Sequence, residues 1–186
     1  MKKSLLFAAA TAIAIPFAQA TEFGTLLTDK STLSFVSKQM GVPVDGSFKR
    51  FKATLAFDPA KPQSGSTSFD LDMASIDAGS QEANDEVADA KWFNLKQYPR
   101  ASFKSSAIKP LGNNRFELHG ALTIKGTSKD VVAPASFKQD GVNGVFDGAF
   151  TLKRLDFKIG EGEWADTSTV ADEVQIKFHL VAAPKR

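Results

Sequence analysis

Residues 173–180 read EVQIKFHL, and their side chains alternate in polarity without a break. Apolar residues stand at positions 174, 176, 178 and 180, and Glu, Gln, Lys and His stand between them. Successive side chains of a β-strand point to opposite faces, so this alternation is typical of a strand with one apolar and one solvated face. The stretch predicts a half-buried strand near the C-terminus.

The same two-residue period recurs along most of the chain. Seven further alternating runs lie at 32–36, 48–57, 68–73, 101–105, 116–124, 131–137 and 146–152. Short segments rich in Gly, Pro and Asn separate most of them, and short links join antiparallel neighbours. We therefore predict an all-β fold, an eight-stranded antiparallel barrel with a polar outer face.

The segment 75–99 interrupts this pattern, because it has no alternation. Ser80 is a suitable N-cap, acidic residues follow it, and Pro99 blocks any continuation of a helix. These features predict one helix from Gln81 to Phe93, lying across an end of the barrel. Trp92, Phe93 and Tyr98 are expected to close or gate that end.

The N-terminal residues 1–20 have the features of a secretory signal peptide. Lys2 and Lys3 precede an apolar run, and Ala18-Gln19-Ala20 fits the cleavage pattern. We expect cleavage there, a single mature domain over residues 21–186 and a periplasmic location. Loss of the two lysines brings the basic count level with the 21 acidic residues. A neutral chain has no broad field to attract nucleic acid.

Phenylalanine is the dominant aromatic residue of the chain, with 16 Phe against two Trp and one Tyr, and its apolar ring suits the interior of the predicted barrel. An eight-stranded barrel is either filled by side chains or holds one small ligand. The pattern alone leaves both alternatives open. Small residues at the inward positions Ser105, Gly120 and Gly148 would leave space.

The segment 152–164, LKRLDFKIGEGEW, carries the polar groups that could do chemistry. Its glycines suggest a phosphate-binding loop, but no helix follows to complete one. Arg154 could pair with Asp156, or together with Lys158 meet an anionic headgroup at the mouth of the barrel.

Other chemistry finds little support in the sequence. Acidic residues at 161, 163 and 166 share one loop, whereas glycosidase chemistry needs two carboxylates facing each other across a cleft. His119 and His179 fall on polar faces and suggest no metal site. No nucleophile–base pair is visible, and the chain has no cysteine.

Several stretches resemble the YceI-like family of bacterial periplasmic proteins. They are SFKRFKATLAFDP at 47–59, SIDAGS at 75–80, WFNLKQYPRASFKSSAI at 92–108, HGALTIKGTSKDV at 119–131, LKRLDFKIGEGEW at 152–164 and ADEVQIKFHL at 171–180. The resemblance covers nearly all of the mature chain. It implies a lipocalin-like barrel whose apolar cavity binds a polyisoprenoid or a similar long amphiphile, such as a prenyl pyrophosphate, a quinone or a fatty-acid derivative.

The resemblance favours a cavity over a filled core, and with it a carrier that is not an enzyme and needs no cofactor or metal. An enzyme acting on an isoprenoid lipid and a ligand-free scaffold are the alternatives. Transient contact with a membrane surface is expected, and the oligomeric state stays open, a dimer included. The residues expected to contact the ligand are Phe35, Phe57, Phe69, Leu71, Trp92, Phe93, Tyr98, Phe103, Phe116, Leu122, Phe150, Arg154, Ile176 and Phe178.

Overall fold

The computed structural model describes residues 21–185, so the expected signal peptide at 1–20 lies outside the described residues. This part of the chain forms eleven strands and one α-helix. In chain order they are β1 (Phe23–Leu26), β2 (Thr32–Gln39), β3 (Val42–Phe48), β4 (Phe51–Ala56), β5 (Ser66–Asp72), β6 (Ile76–Asp77), α1 (Gln81–Ala88), β7 (Arg100–Gly112), β8 (Arg115–Ile124), β9 (Thr127–Asp140), β10 (Asn143–Lys153) and β11 (Glu173–Pro184). In this part of the chain, no helix has the length and apolarity that a bilayer crossing requires.

All eleven strands belong to one curled antiparallel sheet. Its order is β4-β5-β7-β8-β9-β10-β11-β2-β3-β6, and β1 pairs with the far end of β11. Two-residue turns with positive φ join the long central strands, at Asn113–Asn114 and at Lys125–Gly126. Such turns match the right-handed twist of the strands they connect. The sheet therefore curls, as a barrel requires.

The short strand β1 bridges the β4 edge of this sheet to the end of β11. It pairs with residues 182–184 of β11, and Phe23 exchanges two backbone hydrogen bonds with Phe57, just beyond β4. The N–H of Phe23 donates to the Phe57 carbonyl at 2.8 Å, and the N–H of Phe57 donates back at 3.0 Å. The predicted all-β, antiparallel, lipocalin-like fold is confirmed.

The interior differs between the two ends of the barrel. At the end closed by β1, aromatic rings pack tightly: Phe57 lies 5.3 Å from Phe116 and 5.0 Å from Phe146 between ring centroids, in edge-to-face arrangements. Phe23 is completely buried and Phe57 is 2% exposed. A second apolar cluster, which includes Met73, lies towards the other end. The first cluster is a solid core, whereas the second surrounds a cavity.

Two details of the predicted fold are wrong. The sheet has eleven strands in the described residues and not eight, because β1, β3 and β6 are short or contain residues that strands disfavour. The helix begins at Gln81 with the Ser80 side chain accepting a hydrogen bond from the N–H of Ala83, as expected, but it ends at Ala88. Asp89 is already extended, and turns carry the chain on to β7.

Candidate functional site

An apolar cavity of about 340 Å³ occupies the barrel between its solid end and α1. Of its 32 lining residues, four have polar side chains: Ser37, Gln39, Glu86 and Arg154. The other lining residues are apolar and come from strands around the barrel, from α1 and the turns after it, and from the loop that follows β10. The volume falls in the range of about 300–1,000 Å³ that is usual for small-molecule pockets.

The aromatic side chains of the cavity wall point inward, yet they are only half-buried. This holds for Phe35, Phe69, Phe103, Phe150 and Phe178. At the solid end, by contrast, Phe57 and Phe116 are 2% and 6% exposed. All of these phenylalanine side chains point inward, but their exposed fractions differ. The wall phenylalanines face the cavity, whereas Phe57 and Phe116 face packed rings.

Three of these rings cover glycines of the neighbouring strand. Phe178 covers its cross-strand partner Gly148, Phe35 likewise covers Gly46, and Phe103 covers Gly120. At each of these glycines a Cβ would collide with the phenylalanine ring, and at each it would also approach a backbone oxygen within 2.7 Å or less. The glycines thus let the rings lie along the wall and keep the cavity open, which refines the sequence prediction that Gly120 and Gly148 leave space.

Eleven of the fourteen residues that the sequence predicted as ligand contacts line the cavity, and three lie elsewhere. Phe57 and Phe116 belong to the solid core, although they face inward as expected. Tyr98 lies outside the cavity, with its ring against Gly126 in the turn between β8 and β9. The lining residues are Phe35, Phe69, Leu71, Trp92, Phe93, Phe103, Leu122, Phe150, Arg154, Ile176 and Phe178.

Several other lining residues were not predicted from the sequence. Those on strands, including Leu33, Leu152 and Leu180, share the inward faces of predicted residues and could have been found from the alternation. Gln39 and Glu86, in contrast, are exposed polar residues near a hairpin tip and on α1. No local pattern distinguishes them from ordinary surface residues.

The end of the cavity is covered by α1, the turns after it and a loop at residues 158–171, which we call the rim loop. Trp92 and Trp164 meet there with ring centroids 5.5 Å apart. The Trp92 indole N–H donates to Glu86 Oε1 at 3.2 Å. The carbonyl of Lys91 accepts from the N–H groups of both Gly160 and Glu161, each at 2.9 Å. Trp92 and Phe93 line the cavity at this covered end.

Arg154 holds the rim loop from below. Its side chain is 2% exposed, its guanidinium lies 5.7 Å from the Trp92 ring centroid, and burial lowers the pKa of the group. All five of its N–H groups donate to backbone carbonyls. The acceptors are Ala171 at 3.1 Å, Ile159 at 2.9 Å, Gly160 at 3.1 Å, Trp164 at 2.6 Å and Val170 at 2.7 Å.

These bonds change the expected role of Arg154. In the described residues no ion pair joins Arg154 to Asp156, so that expectation is wrong. The guanidinium also has no N–H left for a ligand headgroup. Arg154 lines the cavity, but all of its N–H donors bind carbonyls of the rim loop.

The rim loop does not form a phosphate site. The N–H groups of Gly160 and Glu161 already donate to Lys91, and the loop continues into one short 3₁₀ turn at Gly162–Ala165. A phosphate loop needs several amides facing the anion at the start of a helix.

The acidic residues of the rim loop also lack the features of a glycosidase pair. Lys125 lowers the pKa of Glu161, Lys91 lowers the pKa of Glu163, and a hydrogen bond from Ser168 lowers the pKa of Asp166. A general acid needs the opposite shift. Among the described residues, no group of three His, Cys, Asp or Glu side chains could hold a metal ion.

The chain matches a family model described as YceI-like domain over residues 25–182. Among curated proteins, it is 31% identical over 140 residues to the UPF0312 protein PputW619_0484 of Pseudomonas putida, which is 72% of this chain and 72% of that protein. It is 32% identical over 120 residues to a UPF0312 protein of Azotobacter vinelandii, covering 61% of this chain and 62% of that protein.

Solved structures show the same fold. BcnA of Burkholderia cenocepacia is 51% identical, with a TM-score of 0.83 over 85% of this chain and 99% of that chain. The YceI protein of Campylobacter jejuni is 23% identical, with a TM-score of 0.70 over 100% of this chain and 99% of that one. A polyisoprenoid binding domain from Saccharophagus degradans, at 14% identity, has a TM-score of 0.70 over 88% of this chain and 99% of that one. With the family match spanning nearly the whole barrel and half of the residues shared with BcnA, this chain belongs to the YceI-like family.

Proposed function

We propose that this protein binds a polyisoprenoid or a similar long-chain amphiphile in its barrel cavity. The supporting observation is the row of inward phenylalanine side chains that stay half-buried around an apolar cavity of about 340 Å³. Burial of each CH₂ group of a tail contributes about 0.8 kcal/mol. A long prenyl or acyl tail therefore binds through the wall alone, without a cofactor or a catalytic group.

The family and its structural neighbours support this ligand class. The Saccharophagus degradans domain, which has the same fold, is described as a polyisoprenoid binding domain. The expected signal peptide at 1–20 supports a periplasmic location, where such a protein carries or sequesters a lipid. In this proposal the tail fills the cavity and the headgroup stays beside the exposed lining residues Gln39 and Glu86, at the end where α1 and the rim loop lie over the cavity.

The hairpin between β2 and β3 is the part of the surface that we propose meets the membrane during transfer. Met40 and Val42 at its tip are 74% and 63% exposed. Gln39 and Val44, directly beside them, line the cavity. An aliphatic hairpin tip next to these two lining residues would enter the lipid interface and bring the cavity close to its ligand.

This step predicts a kinetic effect that is separate from affinity. In a double variant with Met40→Asp and Val42→Asp, transfer of a fluorescent prenyl lipid from phosphatidylcholine vesicles should slow several-fold, whereas affinity for soluble farnesol should not change. Val142→Asp is the matched control, because Val142 is 71% exposed in the turn between β9 and β10 and does not line the cavity. Equal transfer rates in all three proteins would refute the membrane contact.

The main test of the proposed function is native mass spectrometry of the protein purified from its own host. A bound mass in the lipid range, together with quenching of Trp92 and Trp164 by added prenyl lipids or quinones, is the expected result. Unliganded protein that takes up none of these lipids would favour a ligand-free scaffold. Conversion of an added lipid to a new mass would favour the alternative of an enzyme.

A further inference from the structure

The cavity offers few polar groups to a ligand headgroup. Its polar lining residues are Ser37, Gln39, Glu86 and Arg154, and the last two are the ionisable residues in the lining. Because the tail contacts are apolar and without charge preference, discrimination between headgroups has to come from this small set.

The cations that hold the covered end of the cavity already have partners. Arg154 donates all five N–H groups to rim-loop carbonyls. Lys91 Nζ lies 2.5 Å from Glu163 Oε1. Lys125, whose side chain is 6% exposed, donates to the Lys158 carbonyl at 2.7 Å and to Glu161 at 2.8 Å. An anionic headgroup would have to break one of these contacts to gain any of these three cations as a partner.

Glu86 is in the opposite situation. It is an exposed residue of α1 that lines the covered end of the cavity, and the Trp92 indole N–H, at 3.2 Å from Oε1, is its one hydrogen-bond donor among the described side chains. No ion pair in the described part of the chain includes it. A carboxylate has about four lone-pair sites, so Glu86 retains acceptor capacity at the place where a headgroup would rest.

We propose that Glu86 sets headgroup specificity, so that the cavity prefers amphiphiles whose headgroup is cationic or donates hydrogen bonds, and disfavours phosphate and carboxylate headgroups. This inference rests on the proposed function. An amine gains a charge-assisted hydrogen bond to Glu86, and a hydroxyl gains a neutral one. A pyrophosphate instead brings like charge to a carboxylate, and the described lining holds no unoccupied cation to compensate.

The test compares three ligands that share one tail: farnesylamine, farnesol and farnesyl pyrophosphate. Their affinities for the full mature chain would be measured by isothermal titration calorimetry at low ionic strength. Because Glu86 is exposed, its interaction with a charge is modest, and we expect farnesylamine to bind about tenfold more tightly than farnesyl pyrophosphate. The ratio should shrink as salt is added.

The Glu86→Gln variant removes the charge and keeps an oxygen for Trp92. It should bring the amine-to-pyrophosphate ratio close to one, with farnesol affinity changed less than twofold. Glu82→Gln is the matched control, since it removes the same charge from the same helix at a residue outside the lining, and it should keep the ratio. Equal or tighter binding of the pyrophosphate by the wild type, or an unchanged ratio in Glu86→Gln, would overturn the inference. If farnesol itself does not bind, the proposed function fails first.

Discussion

The ring of Phe178 covers Gly148, its direct partner on the neighbouring strand, and occupies the space where a side chain at position 148 would stand. The same relationship holds between Phe35 and Gly46. Rings that would otherwise project into the barrel are laid along its wall. The width of the cavity therefore depends on glycines that a ligand need not touch.

Replacement of Gly148 by Ala should narrow the cavity. The new Cβ would collide with the Phe178 ring and with the Pro134 carbonyl, so the ring has to turn inward. We expect farnesol affinity to fall by about tenfold and stability to fall by about 1–3 kcal/mol, as in other overpacked interiors. Calorimetry and urea denaturation measure the two effects. Adding Phe178→Leu to Gly148→Ala relieves the collision with the ring but leaves the Pro134 carbonyl too close to the new Cβ, so it should restore part of the affinity and little of the stability. No recovery of affinity would argue against a ring-driven mechanism.

Two phenylalanines that look alike in sequence should respond differently to truncation. Phe57→Ala removes a ring from the solid core, where Phe57 is 2% exposed, and should cost about 3–5 kcal/mol. Phe150→Ala removes a half-buried ring from the cavity wall, so its stability cost should be clearly smaller and its main effect a loss of ligand affinity. Equal destabilisation of the two variants by urea would mean that the barrel is packed equally at both ends.

Arg154→Lys keeps the positive charge but should unfold the rim loop. Lysine has three N–H donors in a compact group and cannot reach the five carbonyls that the guanidinium fork serves. Buried carbonyls left unpaired should lower the free energy of unfolding by about 2–4 kcal/mol. Hydrogen exchange at residues 159–171 should accelerate while β8 and β9 stay protected. A stable Arg154→Lys variant with reduced affinity for anionic lipid would instead support a headgroup role.

The rim loop should also loosen in acid. Lys125 lowers the pKa of Glu161 in the folded protein, so the pair adds stability above the unfolded carboxyl pKa of about 4.3 and loses it as the pH falls through the lower, folded pKa. Fluorescence of Trp164 should therefore report loop opening below about pH 4.3. In Glu161→Gln this acid-dependent step should be much reduced. The same acid response in both proteins would assign the change to other carboxylates, such as Glu163.

The sequence predicted the curled antiparallel sheet well because alternation in β11 and its neighbours reports directly which face is apolar. It predicted β1, β3 and β6 poorly. β1 has four residues and β6 two, while β3 contains Pro43, Asp45 and Gly46, and strands of these kinds form because neighbouring strands provide the partners. The end of α1 at Ala88 was equally hard to predict, because residues 90–92 continue a composition that suits a helix.

For the site, alternation gives the face of a residue but not its depth along the barrel axis. Phe57 and Phe116 were therefore grouped with Phe150 and Phe178, although they belong to the solid end. Arg154 shows a different limit. Its partners are backbone carbonyls of the rim loop, and every residue has a carbonyl, so the sequence of the loop does not identify these acceptors. Glu86 lines the cavity only because α1 packs over the barrel, and the sequence does not predict that packing.

The contrast between the packed end and the hollow end has a consequence for how such a barrel can diversify. The aromatic cluster beneath β1 is formed by its own buried residues, so substitutions at cavity-wall residues that do not pack against this cluster leave its contacts unchanged. Under the proposed function, the preference for tail length can then change through wall residues such as Leu71 or Leu122 while the packed end stays constant. The same fold can thereby change its ligand specificity without a change in its packed end.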